Sequence, residues 1–302
     1  MSRSHTISNY TDILRSHCRP LAPIETGQEP RLVNLGAVRA VLFDVYGTLF
    51  VSDSGEIGAA TAAEGKIAVS NALNAVGLNV DATSERTMAY FFETIEKFHA
   101  ASRKNGADYP EVEIDKVWHE VLTRLDADDG GGVKSFGHVD LKRLAVEYEA
   151  RSNPVWPMPG IARCVRALRS EGVLLGIVSN AQFYTPLLFE ALLGKDTNEL
   201  GFEGDLQFFS YRYGHAKPGP FLFEEAVKSL KKKGIGPSET VYVGNDMLND
   251  IYAAQSQGLK TALFAGDQRS LRLREGDPRV ENVVPDLILT ALGQISQQIA
   301  AR

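Results

Sequence analysis

Four short apolar runs recur along the chain, and each run ends on small or polar residues. The runs are Val41–Phe43, Val173–Val178, Thr240–Val243 and Lys260–Phe264. A strand that is buried on both faces of a parallel sheet forms a continuous apolar run rather than an alternating pattern. Helical periodicity fills most of the stretches between the runs, and such alternation is typical of α/β proteins. The pattern therefore predicts a doubly wound parallel sheet.

The residues that follow these runs carry groups capable of chemistry. In chain order they are Asp44, Ser179-Asn180, Asn245-Asp246 and Asp267. If the strands are parallel neighbours, all of these side chains share one edge of the sheet. Open α/β sheets bind their ligands in the crevice at the carboxyl ends of the strands. We therefore expect a functional site at this edge, with Asp44 at its centre.

A block of purely helical periodicity separates the first run from the second. Apolar residues at helical spacing cover residues 59–76, 85–103, 114–125 and 139–150. Successive amphipathic helices of this kind favour a small helical bundle. We expect residues 54–153 to form this bundle, inserted into an α/β core that consists of residues 37–53 and 154–302.

The two ends of the chain carry weaker patterns. Residues 1–36 form a polar extension, which we expect to lie on the surface as an arm with one or two helical turns at Thr11–Cys18. Prolines after that point favour an extended segment. Residues 284–299 are expected to close the chain mostly as helix.

Composition excludes several classes of function. The chain has 302 residues and a formal net charge of −6, so it lacks the basic footprint of a nucleic-acid-binding protein. Only Cys18 and Cys164 are present, which argues against a disulfide scaffold and favours a cytoplasmic protein. No run approaches the length of a membrane span. The expected partner is a small anionic molecule, and the sequence does not determine the oligomeric state.

Four segments follow one another in an order that resembles the motifs of the haloacid dehalogenase-like (HAD) hydrolase superfamily. Asp44–Leu49, with the sequence DVYGTL, is similar to the first motif, Asp-x-Asp-Gly-Thr-Leu. Ser179, Lys217 and Gly244–Asp250 match the other three. The resemblance covers about residues 38–295. It implies a HAD-like Rossmannoid core with a helical cap domain, which would be the inserted bundle.

The resemblance also implies a role for each matched residue. A carboxylate can attack phosphorus or carbon and form a covalent intermediate, and Asp44 is the implied nucleophile. Lys217 is expected to orient Asp44 and to balance phosphate charge. The Ser179 hydroxyl can donate a hydrogen bond to a phosphoryl oxygen. The residues expected to contact substrate are Tyr46, Thr48 and Asn180.

A magnesium site is predicted at the same place. Asp246 and Asp250 are four residues apart after a strand, and together with Asp44 they offer the hard oxygen ligands that Mg²⁺ prefers. The resemblance adds the backbone carbonyl of Tyr46. Asn245 stands where many family members have aspartate, so either Asn245 or Asp246 could lead the metal site.

Tyr46 separates three possible functions. In family phosphatases this position is an aspartate that protonates the leaving oxygen, and tyrosine is a poor substitute because its ordinary pKa is near 10. The 2-haloacid dehalogenases share the tyrosine, since a halide leaves without a proton. They need no metal, however, and place a tyrosine six residues after the lysine, where this chain has Phe223. The sequence favours a Mg²⁺-dependent phosphatase, with a dehalogenase or a binding protein with little turnover as alternatives.

Overall fold

A parallel sheet of six strands forms the centre of the molecule, in the order β5-β4-β1-β6-β7-β8. The computed structural model describes residues 3–54, 62–78, 84–128 and 136–299. A second, antiparallel pair consists of β2 and β3. The strands are β1 (Ala40–Phe43), β2 (Phe50–Ser52), β3 (Val155–Pro157), β4 (Leu174–Ser179), β5 (Phe202–Phe209), β6 (Thr240–Gly244), β7 (Lys260–Phe264) and β8 (Leu287–Leu289). The predicted doubly wound parallel sheet is confirmed.

Helices cover both faces of this sheet. The helices are α1 (Arg3–His17), α2 (Ala62–Ala75), α3 (Ser84–Lys104), α4 (Ile114–Asp128), α5 (Leu141–Ser152), α6 (Ile161–Ser170), α7 (Leu187–Leu193), α8 (Thr197–Leu200), α9 (Phe221–Lys232) and α10 (Ala253–Gln255). Val41 and Phe43 of β1 pack in the same core cluster as α6, while Leu42 packs in the cluster that contains α9. In the described ranges, we find no helix whose length and hydropathy would suit a bilayer.

Helices α2–α5 lie between β2 and β3, and we call them the helical insertion. The two connections run side by side, because Ser52 Oγ donates to Asn153 Oδ1 over 2.7 Å and Asp53 N donates to Pro154 O over 3.0 Å. Inside the insertion, the Trp118 ring lies against Phe91 and Tyr148, at centroid distances of 4.8 and 5.3 Å. Every described regular element of the insertion is helical. Its exact bounds as a domain stay a prediction.

The N-terminal segment is more ordered than the predicted surface arm. Helix α1 spans fifteen residues, and its Tyr10, Ile13 and Leu14 are buried. These three residues have the i, i+3, i+4 spacing of one helical face. The Tyr10 hydroxyl donates to Asp140 at the start of α5 over 2.9 Å. The Arg15 guanidinium donates to the Ala191 carbonyl of α7 over 2.9 Å, so α1 bridges the helical insertion and the core.

The C-terminal segment also differs from the expected helix. Residues Leu287–Leu289 form β8 at the edge of the sheet, and only the short turn Leu292–Gln297 is helical. Leu287 and Leu289 are buried while Ile288 is only half-buried, which is the alternation of a strand. Arg31 pairs with Ile288 on the other side of β8. The N-terminal extension therefore covers an edge that would otherwise be open to other chains.

We expect Phe189→Ala to lower the free energy of unfolding by about 3–5 kcal/mol, because the deleted ring leaves a cavity in a packed core. Phe189 is fully buried and its ring contacts Phe50 and Phe202 at centroid distances of 5.0 and 5.8 Å. Urea denaturation followed by circular dichroism measures the change. Val284→Ala, at an exposed position, is the control and should shift stability by less than about 0.5 kcal/mol. Equal midpoints for the two variants would contradict the packing described above.

Candidate active site

A buried lysine joins two of the predicted acidic residues. Asp44 directly follows β1, Lys217 lies in the loop before α9, and Asp250 follows β6. The Lys217 ammonium donates to Asp44 Oδ1 over 2.9 Å and to Asp250 Oδ1 over 2.6 Å. All three residues are buried. The fold thus brings together Asp44 and Asp250, which are more than two hundred positions apart in the sequence.

A tyrosine that the sequence analysis missed completes this cluster. Lys217 Nζ donates to the Tyr242 hydroxyl over 2.8 Å, and that hydroxyl donates to the Val178 carbonyl over 2.7 Å. Tyr242 lies within the apolar run of β6, where a buried phenol needs a hydrogen-bond partner. A hydroxyl group inside an otherwise apolar strand is the sequence feature that could have identified Tyr242.

The positive and negative charges in this cluster stabilise one another. Burial alone would lower the pKa of Lys217, but the neighbouring Asp250 and Asp44 outweigh it and raise the pKa. Burial raises the pKa of Asp250, and the Lys217 ammonium opposes that rise. Lys217 therefore stays protonated in the folded protein, and its charge orients both carboxylates.

Asp246 points toward a different cation. Arg274 Nε lies 3.1 Å from each carboxylate oxygen of Asp246, and the guanidinium makes a further short contact with Oδ2. Asp246 Oδ1 also caps the helical turn Met247–Tyr252 by accepting from Leu248 N and Asn249 N. Arg274 was not predicted from the sequence. Its backbone φ of 56° is unusual for a residue other than glycine, and such conformations concentrate at functional sites.

Asn180 holds the Lys217 loop in place. Its Nδ2 donates to the Lys217 carbonyl over 3.0 Å, and its Oδ1 accepts from Lys217 N over 2.7 Å. The side chain thus braces the loop that carries the lysine. Ser179 is fully buried, and its hydroxyl donates to the Asn180 carbonyl over 3.3 Å.

Thr48 and Asp267 have other surroundings. Thr48 Oγ1 donates to Asn245 Oδ1 over 3.1 Å, and Asn245 Nδ2 donates to the Ser270 carbonyl over 2.6 Å. Asp267 accepts from Ile24 N over 2.9 Å and pairs with Arg269. The expectation that Asp267 joins the site is wrong, because its carboxylate anchors the N-terminal extension to the core.

The Tyr46 side chain is enclosed within the protein. Its hydroxyl lies 3.0 Å from Thr185 Oγ1. Burial, followed by the nearby negative charge of Glu149, raises the pKa of Tyr46 well above its ordinary value. Near neutral pH this phenol therefore keeps its proton. The next residue, Gly47, has a φ of +76°, and a Cβ there would lie 2.4 Å from Ser270 Cβ, so the turn requires glycine.

A cavity of about 410 Å³ opens between the sheet edge and the helical insertion. Its polar end is lined by Asp44, Asn180, Lys217, Asn245, Asp246, Asn249, Asp250 and Arg272. Its other walls are mostly apolar and aromatic and include Phe91, Phe92, Ile95, Val112, Ile114, Tyr148 and Tyr184. Among the described residues, those that line it do not include the predicted Ser179 and Thr48. The cavity can hold a small molecule with its reactive group at Asp44.

Two glutamates also line this cavity, Glu149, which is buried, and Glu111, which is half-buried. Glu149 of α5 accepts from Asn153 Nδ2 and from the Tyr184 hydroxyl, each over 3.1 Å. Burial raises the pKa of Glu149 to about 7, although both hydrogen bonds oppose the rise. The sequence analysis missed this residue. The sequence feature that could have identified Glu149 is its position one turn after Ala145, where a glutamate stands on the apolar face of an amphipathic helix.

Glu111 precedes α4 and is held by more donors. Its carboxylate accepts from Ser210 Oγ over 2.7 Å, from Gln182 Nε2 over 3.2 Å and from Val112 N over 2.9 Å. Burial raises the pKa of Glu111, while the hydrogen bonds from Ser210 and Val112 lower it. The wall above Asp44 thus contains two acids whose hydrogen-bond donors are all uncharged groups.

These motifs and this fold define a known class of enzyme. A family model described as haloacid dehalogenase-like hydrolase matches residues 38–258, well over half of the chain. The protein belongs to the haloacid dehalogenase-like hydrolase family and is therefore a hydrolase. The match begins just before β1 and includes all four motif segments.

Individual relatives share only a low sequence identity with this chain. The chain is 26% identical to the glyceraldehyde 3-phosphate phosphatase of Methanopyrus kandleri over 254 residues, which cover 82% of this chain and 91% of the relative. The crystal structure of a 2-haloacid dehalogenase from Pseudomonas syringae superposes with a TM-score of 0.54 at 19% identity, covering 86% of this chain and 97% of that one. A HAD phosphatase from Thermococcus onnurineus gives 0.51 at 21% identity, covering 88% and 99%. These two structural likenesses show the fold.

We expect Glu149→Gln to flatten the pH dependence of stability between pH 4.5 and about 7. In this window the folded protein keeps a proton on Glu149 that the unfolded chain has lost, so the stability of the wild type falls as pH rises. The full effect is on the order of 3 kcal/mol. Urea denaturation at several pH values measures it. Glu113→Gln, at an exposed position of the insertion, should keep the wild-type slope, and parallel profiles for Glu149→Gln and wild type would contradict the raised pKa.

Proposed function

We propose that this protein is a Mg²⁺-dependent phosphatase that hydrolyses a small phosphate ester through an aspartyl-phosphate at Asp44. The observation that carries the proposal is the Asp44 carboxylate at the polar end of the cavity, held by the buried Lys217 ammonium. The name of the relative from Methanopyrus kandleri also supports a phosphatase.

The contacts of Asp44 suit a nucleophile. The Lys217 ammonium binds Oδ1 of Asp44, and 12% of the Asp44 side-chain surface stays exposed. Attack by a carboxylate oxygen on phosphorus would form the Asp44–phosphorus bond and break the bond to the leaving oxygen. Water would then cleave the acyl phosphate and restore Asp44. The Lys217 charge lies where negative charge on the transferred group needs balance.

Charge and donor chemistry at this edge fit a divalent cation. Asp44 and Asp250 pair with Lys217, and Asp246 pairs with Arg274. A phosphate ester would add further negative charge. Carboxylate and carbonyl oxygens suit Mg²⁺, which when bound would neutralise charge on the phosphoryl group. We assign its binding to Asp44, Asp246, Asp250 and the Tyr46 carbonyl.

The carboxylates assigned to the metal already form ion pairs, so metal binding would require some of these pairs to change. Within the described ranges, no cluster of three acidic, histidine or cysteine side chains is already arranged to hold a metal. Asp250 is engaged by Lys217, and Asp246 by Arg274. Binding of the ion would therefore require Asp246 to exchange Arg274 for the metal. Asn245, which already bonds to Thr48 and Ser270, is the less suitable leading ligand.

The remaining roles follow from position. Tyr46 and Asn180 line the cavity together with Asp44 and would shape the phosphate site. Thr48 and Ser179 would act from behind the cavity wall, through Asn245 and Asn180. The helical insertion would act as the cap domain, residues 54–153, closing over a small anionic substrate. The free thiols of Cys18 and Cys164 suit a reducing cytoplasm.

A 2-haloacid dehalogenase is the second candidate, and Tyr46 favours it. A carboxylate held by lysine can attack carbon as well as phosphorus, and a halide leaves without a proton. Phe223 speaks against this function, because its ring packs on Tyr242 within the core at 4.8 Å and does not reach the cavity.

We expect wild-type protein to hydrolyse 4-nitrophenyl phosphate only when Mg²⁺ is present, and Asp44→Asn to lower this activity by at least about 10³-fold because the nucleophile is lost. Phosphate release measures turnover. Asp277→Asn, which removes an exposed acid, is the matched control and should keep full activity. Chloride release from 2-chloropropionate without Mg²⁺, together with no phosphate release, would replace the phosphatase with the dehalogenase.

We expect Asp246→Asn to weaken Mg²⁺ binding by at least about tenfold, because an ion held by few carboxylates depends on each one. Isothermal titration calorimetry of substrate-free protein with MgCl₂ measures the affinity without any turnover. Asp277→Asn should bind as the wild type does. Equal affinities for Asp246→Asn and wild type would refute the assignment of Asp246 as a ligand.

A further inference from the structure

The proposed reaction needs an acid that Tyr46 does not provide. An alkoxide is a poor leaving group, so hydrolysis of an alkyl phosphate requires a proton on the leaving oxygen. The Tyr46 hydroxyl is bound to Thr185 Oγ1 and enclosed by protein. Its proton is held too tightly near neutral pH for this task. Any proton donor must therefore come from another part of the cavity wall.

Glu149 occupies the part of the wall where such a donor is needed. It belongs to α5 of the helical insertion, and it lines the same cavity as Asp44. Asp44 lies at the polar end of this cavity, and Glu149 lies in the wall that the insertion supplies. A phosphate ester held at Asp44 would extend its leaving group into the space that Glu149 lines.

The hydrogen bonds of Glu149 orient it and leave its proton available. Asn153 Nδ2 can only donate, and the Tyr184 hydroxyl also donates to the carboxyl group. Asn153 is itself fixed, because its Oδ1 accepts from Ser52 Oγ over 2.7 Å. This chain of contacts crosses the two connections between core and insertion, which we call the hinge. Contacts of the hinge therefore help to fix the position of the Glu149 carboxyl group.

We propose that Glu149 is the proton donor of this enzyme and takes the place of the carboxylate that Tyr46 lacks. The inference rests on the proposed phosphatase function. In the first step an Asp44 oxygen bonds to phosphorus, the bond from phosphorus to the leaving oxygen breaks, and the Glu149 proton passes to that oxygen to give an alcohol. In the second step the Glu149 carboxylate takes a proton from water as the water oxygen attacks phosphorus, which releases phosphate and restores Asp44.

The titration of Glu149 can be distinguished from that of the neighbouring groups. Its pKa of about 7 places it in the range in which one group can both give and take a proton. Four titratable groups interact with its charge, Cys18, Tyr46, Tyr148 and Tyr184, and each has a raised pKa. None of these four loses its proton near pH 7, so they do not mask a change at Glu149. His99 and Glu111 line the same cavity, and a comparison with Glu111→Gln separates the titration of Glu111 from that of Glu149.

Glu111 is the rival acid in the same cavity, and the structure favours Glu149 over it. The Glu111 carboxylate accepts three hydrogen bonds, from Ser210, Gln182 and Val112. These bonds commit it to bracing the loop before α4 against the core. Glu149 accepts two bonds and belongs to a helix of the insertion.

The test compares two esters of similar size in three variants. The esters are 4-nitrophenyl phosphate, whose leaving group needs little protonation, and cyclohexyl phosphate, whose leaving group needs much. We expect Glu149→Gln to lower kcat/KM for cyclohexyl phosphate by about 100-fold or more and to change that for 4-nitrophenyl phosphate by less than about fivefold. We expect the wild type to lose rate above about pH 7 with cyclohexyl phosphate, and this loss should disappear in Glu149→Gln. Glu111→Gln and the exposed-site control Glu113→Gln should show neither effect.

Glu149→Asp keeps the proposal testable if the glutamine variant does not fold. Its shorter carboxylic acid should restore part of the cyclohexyl phosphate activity together with the alkaline limb, which a purely structural role would not do. Equal losses with both esters, or the selective loss in Glu111→Gln instead, would overturn the role of Glu149 alone. Failure of the wild type to hydrolyse either ester would instead overturn the phosphatase function, and the Glu149 role with it.

Discussion

The Lys217 ammonium, buried between Asp44 and Asp250, is the interaction on which the rest of the site depends. Removing a charge from water costs several kcal/mol, and only close carboxylates and further hydrogen bonds offset that cost. Here two acids and the Tyr242 hydroxyl provide them. The ion pairs tie the ends of β1 and β6 to the loop before α9. Loss of either acid would leave a buried charge poorly compensated.

Chemistry and substrate selection are divided between two parts of the molecule. The edge of the sheet supplies the charged groups, which are held by Asn180 and by the turns that follow the strands. The helical insertion supplies most of the aromatic wall and the Glu149 carboxyl group. Helix α1 contacts both parts through Tyr10 and Arg15. The N-terminal extension therefore links the two bodies whose relative position defines the cavity.

Prediction from sequence succeeded where a local pattern has one physical meaning. Apolar runs that end on polar residues identified four strands of the sheet, and parallel pairing then placed Asp44 and Asp246 at one edge. The family motifs added Lys217 and Asp250. It failed where the environment, rather than the pattern, decides the role. Glu149 resembles the other charged residues of its amphipathic helix, and Arg274 resembles one residue of an amphipathic segment. Residues 284–299 read as helix because a three-residue edge strand is too short to show a period.

The order of the amino acids specifies the strands, the inserted helices and the family motifs, because these depend on neighbours within a few residues. Folding alone determines which carboxylate pairs with which cation, since Asp246 could face a metal, a helix N-terminus or Arg274 with no change in its local sequence. The same holds for the proton affinity of Glu149. Its value depends on burial between α5, Tyr184 and the hinge, whose members are distant in sequence and meet only in the packed molecule.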